Sequence, residues 1–201
     1  MQNPFGMDAG CTNCPALVES RASIVHGYGD VTAEFLFVRE APTEAADTHG
    51  HPTAEEDPIV SILDRAGFLS DGLDEDGLPR LDNAFVTHLT RCRHPDRDAT
   101  DREVQACDPF LTAEIRSINP EIIVPVGQRA LQELGREYST NVTEDVTMAD
   151  VHAETIRGRG FELVPLAGAR NRTETHIESF LDALETIQHR DYRQTKGRRG
   201  R

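Results

Sequence analysis

Four cysteines constrain this chain more than any other feature. Cys11 and Cys14 form a C-x2-C pair near the start, and Cys92 and Cys107 form a C-x14-C pair at the middle. If the four act together, the fold must carry the N-terminal segment back to the middle of the chain. Thiolates gathered in this way make a site for a metal ion or an iron–sulfur cluster. A pair of disulfides is the competing use of the same residues. The opening stretch MQNPFGMDAG has neither the basic flank nor the apolar centre of an export signal. Thiols that stay in the cytosol remain reduced, which favours the metal or cluster.

A length of 201 residues suits one domain with a proper core. We expect that domain to occupy residues 1–189. Residues 190–201, RDYRQTKGRRGR, are basic and lack apolar periodicity, and read as a flexible tail able to meet phosphates or simply to stay solvated. The longest apolar runs, such as residues 122–126, are too short to cross a bilayer. A cytoplasmic protein with no membrane partner is therefore expected. Charge adds a second indication. There are 35 acidic residues against 21 basic ones, and Lys196 is the one lysine. Such an excess repels itself in dilute solution, but at molar salt the Debye length falls to about 3 Å and the repulsion fades. The composition is that of a halophilic protein, and its acidity argues little against a nucleic-acid partner.

Apolar segments at residues 34–38, 83–89, 121–126 and 161–166 read as strands, the first and third nearly continuous as in a sheet buried on both faces. Helical periodicity fills the intervals at residues 58–66, 101–118, 128–134 and 173–188. Thr100 and Glu103 make a capping box for the second of these. Alternating strands and helices predict an α/β fold, a three-layer α/β/α sandwich around a mostly parallel four-stranded sheet. Residues 71–80 and 139–147 are polar and read as loops, and Gly27, Tyr28 and Gly29 as a turn. In such a fold the carboxyl ends of the strands hold the site. Glu40 follows the first strand. Arg93 and Arg97, beside the later cysteines, are placed either to touch a DNA backbone or to pair with surface carboxylates.

Several motifs occur together in one order. They are Cys-x2-Cys-Pro-x-Leu at residues 11–17, His-Gly-Tyr-Gly at 26–29, Phe-Val-x-Glu-Ala-Pro at 37–42 and Asp-x2-Gly-x-Pro at 47–52. THLTRCR follows at 87–93, Cys-Asp-Pro-Phe-Leu at 107–111 and Asn-Pro-Glu-Ile-Ile-Val-Pro-Val-Gly at 119–127. This set resembles the iron–sulfur-containing branches of the uracil-DNA glycosylase superfamily. The resemblance implies a [4Fe–4S] cluster on Cys11, Cys14, Cys92 and Cys107, structural in role. It implies base-excision repair by cleavage of the N-glycosidic bond of uracil or another damaged base in DNA, flipped out of the stack; a monomer is expected. Glu40 and Asp47 would then position water or sugar and His88 would face the base.

The departures from the family pattern fall on the pocket. The family's first motif reads Gly-Glu-Ala-Pro-Gly, and Arg39 and Thr43 replace both flanking glycines. Ala46 stands where an acid precedes Asp47, Thr53 where an aromatic ring stacks on the base, and His88 where an asparagine reads its edge. Residues 165–170, Pro-Leu-Ala-Gly-Ala-Arg, contain none of the late motif's histidine. A lost stacking platform costs about 1–3 kcal/mol, and a lost charge-stabilising donor about 10²–10³ in rate. The sequence therefore also admits a DNA-binding iron–sulfur protein that no longer catalyses. A redox-responsive cluster protein and a zinc-bound form of the four-cysteine site are further readings.

Overall fold

The computed structural model describes residues 3–53, 57–74 and 77–189. The basic tail expected at 190–201 lies outside the described residues. In chain order the elements are α1 (Pro15–Ser20), β1 (Tyr28–Gly29), β2 (Phe35–Arg39), α2 (Glu44–His49), α3 (Pro58–Arg65), β3 (Leu69–Leu73), β4 (Pro79–Leu81) and β5 (Ala84–His88). They continue with α4 (Asp101–Ile118), β6 (Ile122–Val126), α5 (Gln128–Tyr138), α6 (Met148–Val151), β7 (Ile156–Arg157), β8 (Glu162–Leu163) and α7 (Glu174–Gln188).

The four expected strands form the centre of one sheet, in the order β5-β2-β6-β8, and pair in parallel. Every residue of β2, β5 and β6 is buried, because helices cover both faces. Alternate side chains feed two cores. Leu36, Val38, Phe85 and Ile123 pack against α4 and α5 through Leu111, Ile115, Leu131 and Leu134. Phe35, Phe37, Val86 and Val124 pack against α3 and α7 through Ile59, Ile62, Phe180 and Leu184. These are the three layers that the alternation predicts.

The sheet is nonetheless mixed. β1 and β7 extend it at its two edges, each antiparallel to its neighbour. Two-residue strands are too short to leave a periodic signal. Within the supposed turn, Tyr28–Gly29 is therefore an edge strand, and Gly29, at φ 137°, is needed there. A Cβ at that position would lie 2.4 Å from the Ala84 carbonyl oxygen. The glycine serves close strand approach. The polar stretch at 71–80, read as a loop, instead contributes to the β3–β4 hairpin, a separate two-stranded sheet. Residues 139–147 carry no helix or strand, as expected.

Helix starts follow their local chemistry. α4 begins at a complete capping box, in which the Thr100 hydroxyl accepts the Glu103 N–H and the Glu103 carboxylate accepts the Thr100 N–H. α3 is capped by Asp57, whose Oδ1 accepts the Ile59 N–H at 3.0 Å, with Pro58 in the first turn. No described helix is long and apolar enough to cross a membrane.

Candidate functional site

The carboxyl ends of the parallel strands bring Arg39, His88 and Val126 side by side in register, with Glu40 and Gly127 just beyond. Glu40 is locked at the start of α5. Its Oε1 accepts the Arg129 N–H at 2.9 Å, using an amide that the first helical turn leaves unpaired. Gly127, the residue before α5, has φ 100°, and a Cβ there would stand 2.3 Å from Glu40 Oε1. Only glycine admits the carboxylate. The loop after β8 closes from the other side, since a Cβ on Gly168 would meet Gly127 Cα at 3.2 Å.

His88 is wholly buried, and neither ring nitrogen has a hydrogen-bond partner among the described residues. Burial holds its pKa well below the ordinary imidazole value, and the Arg39 and Arg91 cations push the same way, so the ring is neutral. Arg39, its register neighbour, is buried too. Its Nη1 donates to Asp57 Oδ2 at 2.8 Å and to the Pro52 carbonyl at 3.3 Å. Thr43 Oγ1 donates to the same Asp57 oxygen at 2.7 Å. The two side chains that replace the family's glycines thus converge on one carboxylate, forming a matched set. Arg172, partly buried in the segment before α7, has its pKa lowered by burial and by Arg39, with Asp57 opposing. It brings a second guanidinium to this corner.

Asp47 has its own anchoring. It lies on α2, buried, and its Oδ2 and Oδ1 accept the Ala22 and Ser23 N–H groups at 3.0 and 3.2 Å. Both oxygens hold the N-terminal segment. Thr53, at the stacking position, is fully buried and donates its N–H to His51 Nδ1 at 3.2 Å. That bond makes Nδ1 an acceptor and leaves His51 Nε2 as a buried donor without a partner. The His51 ring packs edge-on against Tyr28 with centroids 4.2 Å apart, and burial lowers its pKa to about 4.

The cysteines form a second cluster of groups. All four thiols are free of disulfides. Each of Cys14, Cys92 and Cys107 feels the charge of other members of the set, so the fold does return the N-terminal pair to the middle of the chain. Burial raises all three thiols, Cys107 to about 11. A thiolate in such a place needs a bound cation in place of its proton. Among the described residues, no three His, Cys, Asp or Glu side chains stand close enough together to hold a single metal ion. Four thiols are a donor set that suits an iron–sulfur cluster or a zinc ion. Donors face the sulfurs: Arg21 Nη1 lies 3.2 Å from Cys92 Sγ, and the Arg91 backbone N–H points to Cys107 Sγ.

Beside this cluster, Arg97 is committed to Glu103. Its Nη1 and Nη2 reach the two carboxylate oxygens at 2.8 Å each, and this fork is the main reason the Glu103 pKa falls to about 2. Arg93 stands 3.8 Å from Glu44. Of the two uses open to these arginines, pairing with carboxylates is the one the fold shows. Behind them the Arg91 Nη2–Glu114 Oε2 pair, at 2.7 Å, is sealed from solvent, and Thr87 Oγ1 donates to the same oxygen at 2.6 Å.

Sequence reasoning passed over His51, Asp57 and Arg172. Asp57 before Pro58 is a helix-start signature and could have been found as a cap. Its two partners could not, because nothing local links positions 39, 43 and 57.

The family model of the uracil DNA glycosylase superfamily matches residues 26–188. The type-4 uracil-DNA glycosylase of Saccharolobus solfataricus is 37% identical over 132 residues, covering 64% of this chain and 56% of that protein. That of Thermotoga maritima is 37% identical over 123 residues, 60% of this chain and 58% of its own. That of Pyrobaculum aerophilum is 33% identical over 155 residues, 74% of this chain and 70% of its own. The chain thus spans somewhat under three fifths of the first two relatives.

Proposed function

The chain belongs to the uracil-DNA glycosylase superfamily, and from that premise we propose that it is a cytoplasmic, monomeric enzyme of DNA base-excision repair. It hydrolyses the N-glycosidic bond of uracil or another damaged base in DNA. Water adds to the sugar C1′, the C1′–N bond breaks, and its electron pair leaves with the base, which then takes up a proton. The observation that carries the reading is Glu40, fastened through Oε1 to the start of α5 at the carboxyl ends of the strands. Its Oε2 takes no hydrogen bond from the described residues and is left to orient the water. His88, in register with Arg39 at the strand ends, would face the developing negative charge on the base, since the late motif has no histidine. Asp47 acts at one remove, by holding the backbone at residues 22 and 23.

Cys11, Cys14, Cys92 and Cys107 would hold a [4Fe–4S] cluster. When bound, it supplies a rigid cross-link between the N-terminal segment and the loop after β5, and no step of the hydrolysis. The test is base release from a uracil-containing oligonucleotide by anaerobically purified protein in multimolar KCl. Glu40→Gln is expected to lower the rate by about 10²–10⁴, the usual worth of a positioned acid or base. Absence of release from iron-loaded parent protein that still binds the oligonucleotide would overturn the uracil assignment. One observation favours a second reading. Arg39 and Thr43 bring side chains where the family has glycine, so a binding protein that no longer excises would show that same result.

A further inference from the structure

The first turn of the chain's cysteine region ends in a side chain that touches both halves of the set. Arg21 closes α1 and is partly buried. Its Nη1 donates to Cys92 Sγ at 3.2 Å, and its Nη2 donates to the Cys11 carbonyl at 2.8 Å. One planar fork therefore spans the N-terminal C-x2-C segment and the loop after β5, which chain connectivity keeps far apart. The backbone behind it is anchored as well. The Arg21 N–H donates to the Leu17 carbonyl at 2.9 Å, and the next two amides are held by Asp47. Ser20 Oγ donates to the Arg93 carbonyl at 3.3 Å, tying α1 to the loop that contains Cys92. A long, flexible side chain has thus been given a fixed aim.

We propose that Arg21 is a positioning and tuning residue of the iron–sulfur cluster: its guanidinium donates a charged hydrogen bond to the Cys92 sulfur while bracing the Cys11 segment. The inference rests on the cluster reading above, and it concerns this chain's own residue rather than the four ligands. Two physical consequences follow. A cationic donor on a ligand sulfur favours the more negative, reduced state of a cluster, so it raises the reduction potential. A fork holding both segments also slows the opening that lets a ligand leave. Lysine cannot reproduce this, since its ammonium is a point charge without the planar two-pronged reach.

The experiment compares parent, Arg21→Met and Arg21→Lys, all purified anaerobically with the four cysteines intact. Two quantities are read: the cluster's midpoint potential by dithionite titration, and the rate of metal release to a colorimetric chelator. Arg21→Met is expected to release iron several-fold faster and to shift the potential downward, with Arg21→Lys between it and the parent. A tenfold change in the relative affinity of the two oxidation states would read as about 59 mV for one electron. Equal potential and equal release would overturn the proposal. Faster release at an unchanged potential would overturn the tuning role and sustain the bracing role alone. Should the parent bind zinc, the cluster reading fails separately. Release of zinc then judges Arg21: several-fold faster release from Arg21→Met sustains the bracing role, and equal release ends it.

Discussion

Two buried triads on opposite faces of the sheet use the same chemistry for different ends. On the α4 face, Arg91 Nη2 and Thr87 Oγ1 both donate to Glu114 Oε2. On the α3 face, Arg39 Nη1 and Thr43 Oγ1 both donate to Asp57 Oδ2. The first backs the cysteines. Arg91 also donates through Nη1 to the His88 carbonyl at 2.7 Å and to Thr87 Oγ1, while its backbone N–H serves Cys107. The second ties the end of β2 to the start of α3, where Asp57 doubles as the cap. A buried ion pair adds little stability over apolar packing, but breaking one strands a charge. Such triads therefore fix geometry more than they raise stability. One backs the four-cysteine corner and the other stands beside Glu40 at the carboxyl ends of the strands.

The strongest way to break the comparison is to remove each carboxylate. Glu114→Ala and Asp57→Ala should each cost about 3–5 kcal/mol, since each leaves a buried guanidinium unpaired; denaturant midpoints read the loss. Their side effects should differ. Glu114→Ala should lower the iron retained per chain, and Asp57→Ala should spare the iron while changing base release. Equal iron loss in both would show that the two corners are not independent.

Acid should separate them next. His26 and His51 have pKa values near 4 in the folded chain, lowered mainly by burial from an ordinary 6.5, and His88 is shifted the same way. The unfolded chain binds more protons between those values, so stability is full above pH 6.5 and falls as pH drops toward 4. Each histidine contributes a slope of at most about 1.4 kcal/mol per pH unit. Glu103 is lowered from 4.5 to about 2, so its contribution is present above 4.5 and is lost only below it. Melting temperatures between pH 7 and 5 should therefore fall less steeply in His51→Gln, while Arg97→Ala should leave that slope unchanged.

The smallest effect belongs to Thr43→Val. The Thr43 hydroxyl donates to Asp57 and accepts the Ala46 N–H at 3.1 Å, capping α2. Its loss should cost about 1 kcal/mol and leave iron content unaltered, as thermal unfolding and iron assay would report.

Much of this architecture could be read before the fold was seen. The four parallel strands and α4, from Asp101 to Ile118, lie where apolar runs and the Thr100–Glu103 box place them, because those signals are local and their burial is two-sided. The edge strands β1 and β7 left no trace, having two residues each. The β3–β4 hairpin was hidden by its polar composition, since its residues are largely exposed or half-exposed and need no apolar alternation. The position of Glu40 beyond a buried strand and the return of Cys11 and Cys14 toward Cys92 and Cys107 were legible from position and type. The engagement of Arg97 by Glu103 was open between two partners, and the convergence of Arg39 and Thr43 on Asp57 was not visible at all.

The sequence by itself determined the α/β sandwich, the four-thiol set and the superfamily, because strand burial, helix caps and ordered motifs are written in neighbouring residues. Only the tertiary structure decided what the departures mean. It seated Glu40 against Gly127, left His88 buried without a partner among the described residues, turned Asp47 toward the Ala22 and Ser23 amides, and aimed Arg21 at Cys92. Each of these depends on a contact across the fold. A hydrogen bond formed over some tens of residues is set by how layers pack, and no local pattern encodes that packing.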